Sequence, residues 1–353
     1  MTNAPPLSPM AQAFAKGPGW FPQQMDAATD RVLLVRMTEE SYREASFLDQ
    51  RMLSQQSQPQ WADWAELETA DQTSRSDADF IFHIGHVGST LISRLLGELD
   101  GVFALREPQI LRNFADLATD RNAPHAIWSP VQFDQRLETV IRWLSRGFTP
   151  QDRAQIKASS FVSEIAAPII GDQRKALLLS VSPKRYLATI LAGENSRQEL
   201  AMLAPTRLKR LHQRLGGEDW NLWELDEPVR AAMSWLCEIL ALEDARKIAP
   251  DDHILWVDFD AFLAEPSEQL TDIARFFGYP HDADTIAGLT SGPLMTRYSK
   301  APDHDYSPDL REKLLAEAHG THQDGIDKAL TWLNDTASRY PKVAEALANH
   351  SGT

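Results

Sequence analysis

The sequence predicts an α/β protein of three layers, a central parallel sheet with helices on both faces and helical additions at each end. Three observations carry that expectation. Short apolar runs alternate with amphipathic stretches from Asp79 to Phe277, the pattern of a parallel sheet with helical crossovers. One of those runs, Phe80–Ile84, passes straight into a glycine-containing turn, Gly85–Gly88, and then into a helical stretch. The chain has 353 residues, 43% of them hydrophobic, enough to bury a sizeable core.

In chain order, residues 1–30 are rich in Pro, Gly and Ala and read as an irregular arm. Residues 38–53 carry a helix signature, with Thr38 as cap and Glu39 and Glu40 in the first turn. The Gln-, Ser- and Asp-rich residues 54–79 read as a connection that docks through Trp61 and Trp64. The strand candidates are Phe80–Ile84, Val102–Leu105, Ala154–Ala158, Ala176–Ser182 and His253–Asp260. Helical spacing places Leu91, Leu95 and Leu99 on one face, and Phe133, Leu137, Ile141 and Leu144 on another. Further helices are expected over residues 159–170, around Leu187, Ile190 and Leu191, and over 229–247, 267–277 and 309–340, the last ending before Pro341. Three regions follow: residues 1–78 as an N-terminal arm and helical segment, 79–300 as the core, and 301–353 as a C-terminal helical segment.

Composition narrows the function. Fifty acidic residues against 35 basic give a net charge of −15, which argues against nucleic acid or an anionic membrane surface as partner. The lone cysteine, Cys237, lies in the apolar run Trp235–Leu242 and reads as a core residue. With no disulfide possible, a reducing, cytoplasmic setting is expected. No apolar run approaches the roughly 18–20 residues of a membrane span, and no secretory signal is expected at the N-terminus.

The stretch FIFHIGHVGSTLISRLL is the chemically informative one. Gly85 and Gly88 allow a sharp turn with exposed N–H groups. A helix N-terminus follows, with the hydroxyls of Ser89 and Thr90, so the turn can hold an anion. The alternative is a plain strand–turn–helix with Ser89 as N-cap. The ATP-type loop, G-x-x-x-x-G-K-[ST], does not fit. Ser89 occupies its lysine position and His83 its first glycine, so a triphosphate would be poorly neutralised.

The turn resembles the 5′-phosphosulfate loop of the sulfotransferases that use 3′-phosphoadenosine 5′-phosphosulfate (PAPS), a P-loop-type fold. That loop has a basic residue, a small residue, Gly, then Ser or Thr twice; here these are His86, Val87, Gly88, Ser89 and Thr90. The likeness covers about Phe80 to Lys300, with specific motifs at four places, and His86 stands where lysine or arginine is usual. It implies transfer of a sulfuryl group from PAPS to a hydroxyl or amine acceptor. The acceptor class stays open among small alcohols, lipids, sugars and peptides. In tyrosylprotein-type members, a glutamate at the position of Glu107 is the base, and a lysine at the position of Lys157 stabilises the leaving oxygen. His86 is expected to assist. The donor-binding residues implied are Gly85, His86, Val87, Gly88, Ser89 and Thr90, then Ser182 and Thr189, and in a late loop Arg297, Ser299 and Lys300. At the 3′-phosphate site Val181 replaces the family's arginine and Thr189 its serine; Ser182, Lys184, Arg185 or Arg197 are candidates to compensate.

Other features are weaker. Arg207, Lys209, Arg210 and Arg214 read as a solvated basic helix face rather than an acceptor patch. Asp258 resembles the aspartate that holds Mg²⁺ in phosphotransferases, which keeps a nucleotide-dependent phosphotransferase as the second function. A non-catalytic nucleotide-binding regulator is the third. His319 and His322 are three apart with no third ligand, and no metal is expected.

Overall fold

The computed structural model describes residues 7–53, 57–71, 75–217, 219–296 and 308–351. Five parallel strands form the central sheet, in the order β5-β6-β4-β7-β8. They are β4 (Asp79–His83), β5 (Val102–Arg106), β6 (Arg153–Lys157), β7 (Ala176–Ser180) and β8 (Ile254–Asp258). Every residue of β4 and β7 is buried, as expected for strands covered on both faces. All five strands match the apolar runs of the sequence to within two residues at each end.

The register positions the site. Ile81 and Arg106 both pair with Lys157, so β6 ends between the strand that enters the glycine turn and the strand that leads to Glu107. The helix Ser89–Leu96 packs on β4, β5 and β6, burying Leu91 and Leu95 with Leu99 just beyond. Cys237 is buried in the helix Glu227–Ile248.

The N-terminal region departs from expectation. Instead of an irregular arm, it forms a helix, Pro9–Phe14, and an antiparallel sheet of β1 (Trp20–Asp26), β2 (Arg31–Arg36) and β3 (Gln60–Asp63). β1 escapes sequence reading because Pro22 and two glutamines break its apolar alternation, and its register shifts between Pro22 and Gln24. The helix expected over 38–53 is only Glu39–Glu44, capped by Thr38 as predicted. A short 3₁₀ turn follows at Gln50–Met52. The segment read as a connection contains β3 and a helix, Trp64–Ala70. Trp64 is buried, whereas Trp61 is exposed. Residues 160–165 form a 3₁₀ helix before a short α-helix, Ala166–Ile170. At the other end, the helices Pro308–Arg339 and Pro341–His350 pack on each other and on the helix Glu227–Ile248.

Candidate functional site

The turn after β4 has the geometry its glycines allow. Gly85 and Gly88 lie at φ +92° and +64°, where a side chain is strained. His86 lies at φ +56° as well, a conformation uncommon for a residue with a β-carbon. Gly88, not Ser89, is the N-cap of the helix Ser89–Leu96, and no side chain caps it. Ser89 is therefore the first helical residue, which removes the simple capping role. Thr90 is buried, and its hydroxyl has no hydrogen-bond partner. A buried unpaired hydroxyl is costly unless something fills its bonding capacity. Val87 is wholly buried and serves packing.

His83, at the position where an ATP-type loop begins, is also buried. The Gly85 N–H donates to its Nδ1 at 3.0 Å, so Nε2 carries the proton and donates to the Ala158 carbonyl at 2.9 Å. Phe259, the residue after β8, lies directly against Gly88.

Glu107 and Lys157 come together beside this turn. Lys157 is fully buried at the end of β6, and its Nζ donates to Glu107 Oε1. The Glu107 N–H in turn donates to the Lys157 carbonyl at 2.6 Å. Glu107 has φ +55°, so the chain leaves β5 in a strained conformation that aims its carboxylate at β6. His86 faces the helix Glu194–Leu215: its Nε2 is 3.7 Å from Glu199, and its Nδ1 is 3.4 Å from the Ser196 hydroxyl.

The expected 3′-phosphate pair is not assembled. Val181 is buried and its carbonyl accepts from the Trp235 indole. Thr189 donates its hydroxyl to the Arg185 carbonyl one turn back, as helical threonines do. Ser182 and Lys184 instead line a cavity of about 1260 Å³ at the ends of β7 and β8, with Arg185, Asp258 and Asp260. Arg185 is already paired with Asp260 and Glu312, and Arg197 with Glu227. Asp258 accepts from the N–H groups of Asp260 and Ala261, capping the helix Phe259–Ala264. Burial pushes its carboxyl up from the usual value. Arg297, Ser299 and Lys300 lie outside the described residues.

The basic face on the helix Glu194–Leu215 is not solvated as expected. Arg207 and Arg210 are buried and share Glu238, which also accepts from Ser163. Lys209 alone faces outward, on Asp120. Helical spacing reveals which residues share a face but not whether a buried carboxylate waits opposite, so sequence reading had no signal for this network. Arg51, whose guanidinium lies 3.6 Å from Glu107 Oε2, was missed in the same way. Among the described residues, no cluster of three or more His, Cys, Asp or Glu is placed to hold a metal ion, and no helix is long and apolar enough to cross a membrane.

No family model matches the chain, and no curated protein does. Several solved structures are similar in backbone course. The sulfotransferase domain from the curacin biosynthetic pathway is 11% identical over 71% of this chain and 99% of its own, with a TM-score of 0.41. The sulfotransferase domain of the Synechococcus PCC 7002 olefin synthase is 16% identical over 74% and 97%, with a TM-score of 0.39. Mouse sulfotransferase SULT7A1, complexed with PAP, is 10% identical over 71% and 88%, with a TM-score of 0.33.

Proposed function

We propose that this chain is a sulfotransferase that moves the sulfuryl group of PAPS to a hydroxyl or amine acceptor. The observation that carries this reading is the contact between Lys157 and Glu107 at the ends of neighbouring strands, beside a glycine turn that has the buried Ser89 where an ATP loop has lysine. A general base and a cation for a leaving oxygen are the two groups sulfuryl transfer needs besides an anion seat.

In the proposed reaction, the phosphosulfate sits on Gly85–Thr90, where the orphaned Thr90 hydroxyl finds an acceptor. Glu107 takes the proton of the acceptor's hydroxyl or amine as its heteroatom forms a bond to sulfur. The bond from sulfur to the bridging oxygen breaks, and 3′,5′-adenosine bisphosphate leaves. Lys157 stabilises the charge on that oxygen; His86, whose ring nitrogens face Glu199 and Ser196, adds a hydrogen bond only if its ring turns from them. Ser182 and Lys184 are the described candidates for the 3′-phosphate, because they line the cavity and Arg185 and Arg197 are already paired.

A thermal-shift comparison of 3′,5′-adenosine bisphosphate with ATP, with and without Mg²⁺, tests the reading. The bisphosphate at 100 times its dissociation constant should stabilise the protein by about 2.7 kcal/mol. Stronger, Mg²⁺-dependent stabilisation by ATP would favour a phosphotransferase using Asp258. Bisphosphate binding with no turnover of labelled PAPS across a panel of acceptors would favour a regulator.

A further inference from the structure

Glu107 is gripped from two sides, and only one side is the core. Lys157 holds Oε1. Opposite it, Arg51 places Nη2 3.6 Å from Oε2. Arg51 belongs to the N-terminal region, in the turn Gln50–Met52, and three features fix it there. Its Nε donates to both Asp49 oxygens at 2.9 and 3.0 Å. Its guanidinium lies 3.3 Å from the centre of the Phe47 ring, a cation–π contact. The backbone of Leu48 brackets Glu107: the Leu48 N–H donates to the Arg106 carbonyl at 2.7 Å, and its carbonyl accepts from Gln109 at 3.1 Å. Segment 47–51 is thus fastened to the chain on either side of Glu107.

Arg106 does not compete, because its guanidinium is turned to the carbonyls of Tyr42, Arg43 and Ala45. Among the described residues, the other charges acting on Arg51 are Asp49, already paired with it, and Glu199, which faces His86 and also attracts Arg51.

We infer that Arg51 is a positioning residue for Glu107, an assignment that rests on the sulfuryl-transfer reading. In that reaction Lys157 must give its ammonium to the bridging oxygen of the donor. If Lys157 were the sole cation, Glu107 would lose its anchor as the acceptor arrives. Arg51 keeps one carboxylate oxygen oriented while the oxygen that Lys157 releases takes the acceptor's proton. The N-terminal region therefore completes the site.

The test is a double-mutant cycle on transfer from labelled PAPS, counting both sulfated acceptor and sulfate released to water. Arg51→Met keeps the aliphatic stem against Phe47 and removes the charge. In the wild-type background it should lower kcat on the order of tenfold, the scale of coupling between contacting residues, with KM for PAPS unchanged. Arg51→Lys should recover most of that loss. In a Glu107→Gln background, Arg51→Met should cost little more, because the group it positions is already gone. Equal losses in both backgrounds, or no rescue by lysine, overturn the assignment while leaving PAPS chemistry intact. Calorimetry with 3′,5′-adenosine bisphosphate separates the two levels. A folded wild-type protein that neither binds it nor turns over PAPS overturns the donor reading, and the role of Arg51 with it.

Discussion

The ring of Phe259 occupies the space where Gly88 would carry a side chain: an ideal β-carbon there falls 1.9 Å from Phe259 Cζ and 2.0 Å from Cε2. Gly88 is therefore required twice, by its φ of +64° and by the ring against it. Gly88→Ala should destabilise the fold by about 1–3 kcal/mol, the range for overpacking. Gly88→Ala combined with Phe259→Ala should lose less than the sum of the two single changes. Urea titrations of the three variants decide; strict additivity would mean that the ring does not govern this position.

Thr90→Val replaces a buried, unpartnered hydroxyl with a methyl of similar size. The free protein should melt at the same or a higher temperature, because removing an unsatisfied buried group relieves a penalty of about 1–3 kcal/mol. Affinity for 3′,5′-adenosine bisphosphate should fall. A lower melting temperature with unchanged affinity would show that the hydroxyl serves the fold and not a ligand.

Glu107→Gln removes the base but leaves an acceptor for the Lys157 ammonium, so it should be better tolerated than Glu107→Ala, which takes the carboxylate away from that buried cation. Turnover should drop by about 10²–10⁴-fold, the usual worth of general-base catalysis, with donor affinity little changed. Lys157→Met should also slow turnover, through the leaving oxygen. A donor analogue with a better leaving group should partly rescue Lys157→Met and leave Glu107→Gln unrescued. Equal rescue of both would separate neither role.

Asp79, at the start of β4, gives a pH signature. Burial pushes its carboxyl up to about 7, against the opposing pull of Arg153, 2.7 Å away. An unfolded aspartate titrates at about 4. Between those limits the folded state holds the proton more tightly, so the contribution of Asp79 is fully present below the lower limit and is lost as pH rises towards 7. Asp79→Asn should remove that part of the slope. Urea midpoints for both proteins from pH 4 to 8 measure it; parallel curves would exclude Asp79 as its source.

The core strands were legible because buried parallel strands write themselves as short apolar runs, and β4 and β7 are the clearest cases. The turn was legible from Gly85, Gly88 and the hydroxyls after them; Glu107 and Lys157 were singled out by their strand ends and by the resemblance, and their contact appears only in the structure. What remained hidden depends on partners far apart in the chain. Arg207 and Arg210 look like surface residues until Glu238 is placed between them. Arg51 sits in a polar stretch with helical spacing, and nothing in that spacing points to residue 107. At Val181 and Thr189 the sequence departs from the residues that the resemblance leads one to expect. Only the structure shows that the Val181 carbonyl and the Thr189 hydroxyl are engaged elsewhere.

His83 has a bearing on which amides of the turn stay open to an anion. Its imidazole bridges the Gly85 amide and the Ala158 carbonyl, a strut of fixed length across the entrance of the turn. The Gly85 amide is therefore tied inward, and an anion in the proposed seat would draw on the amides that follow it. The imidazole thus works as a brace, holding the first residue of the turn to the residue after β6.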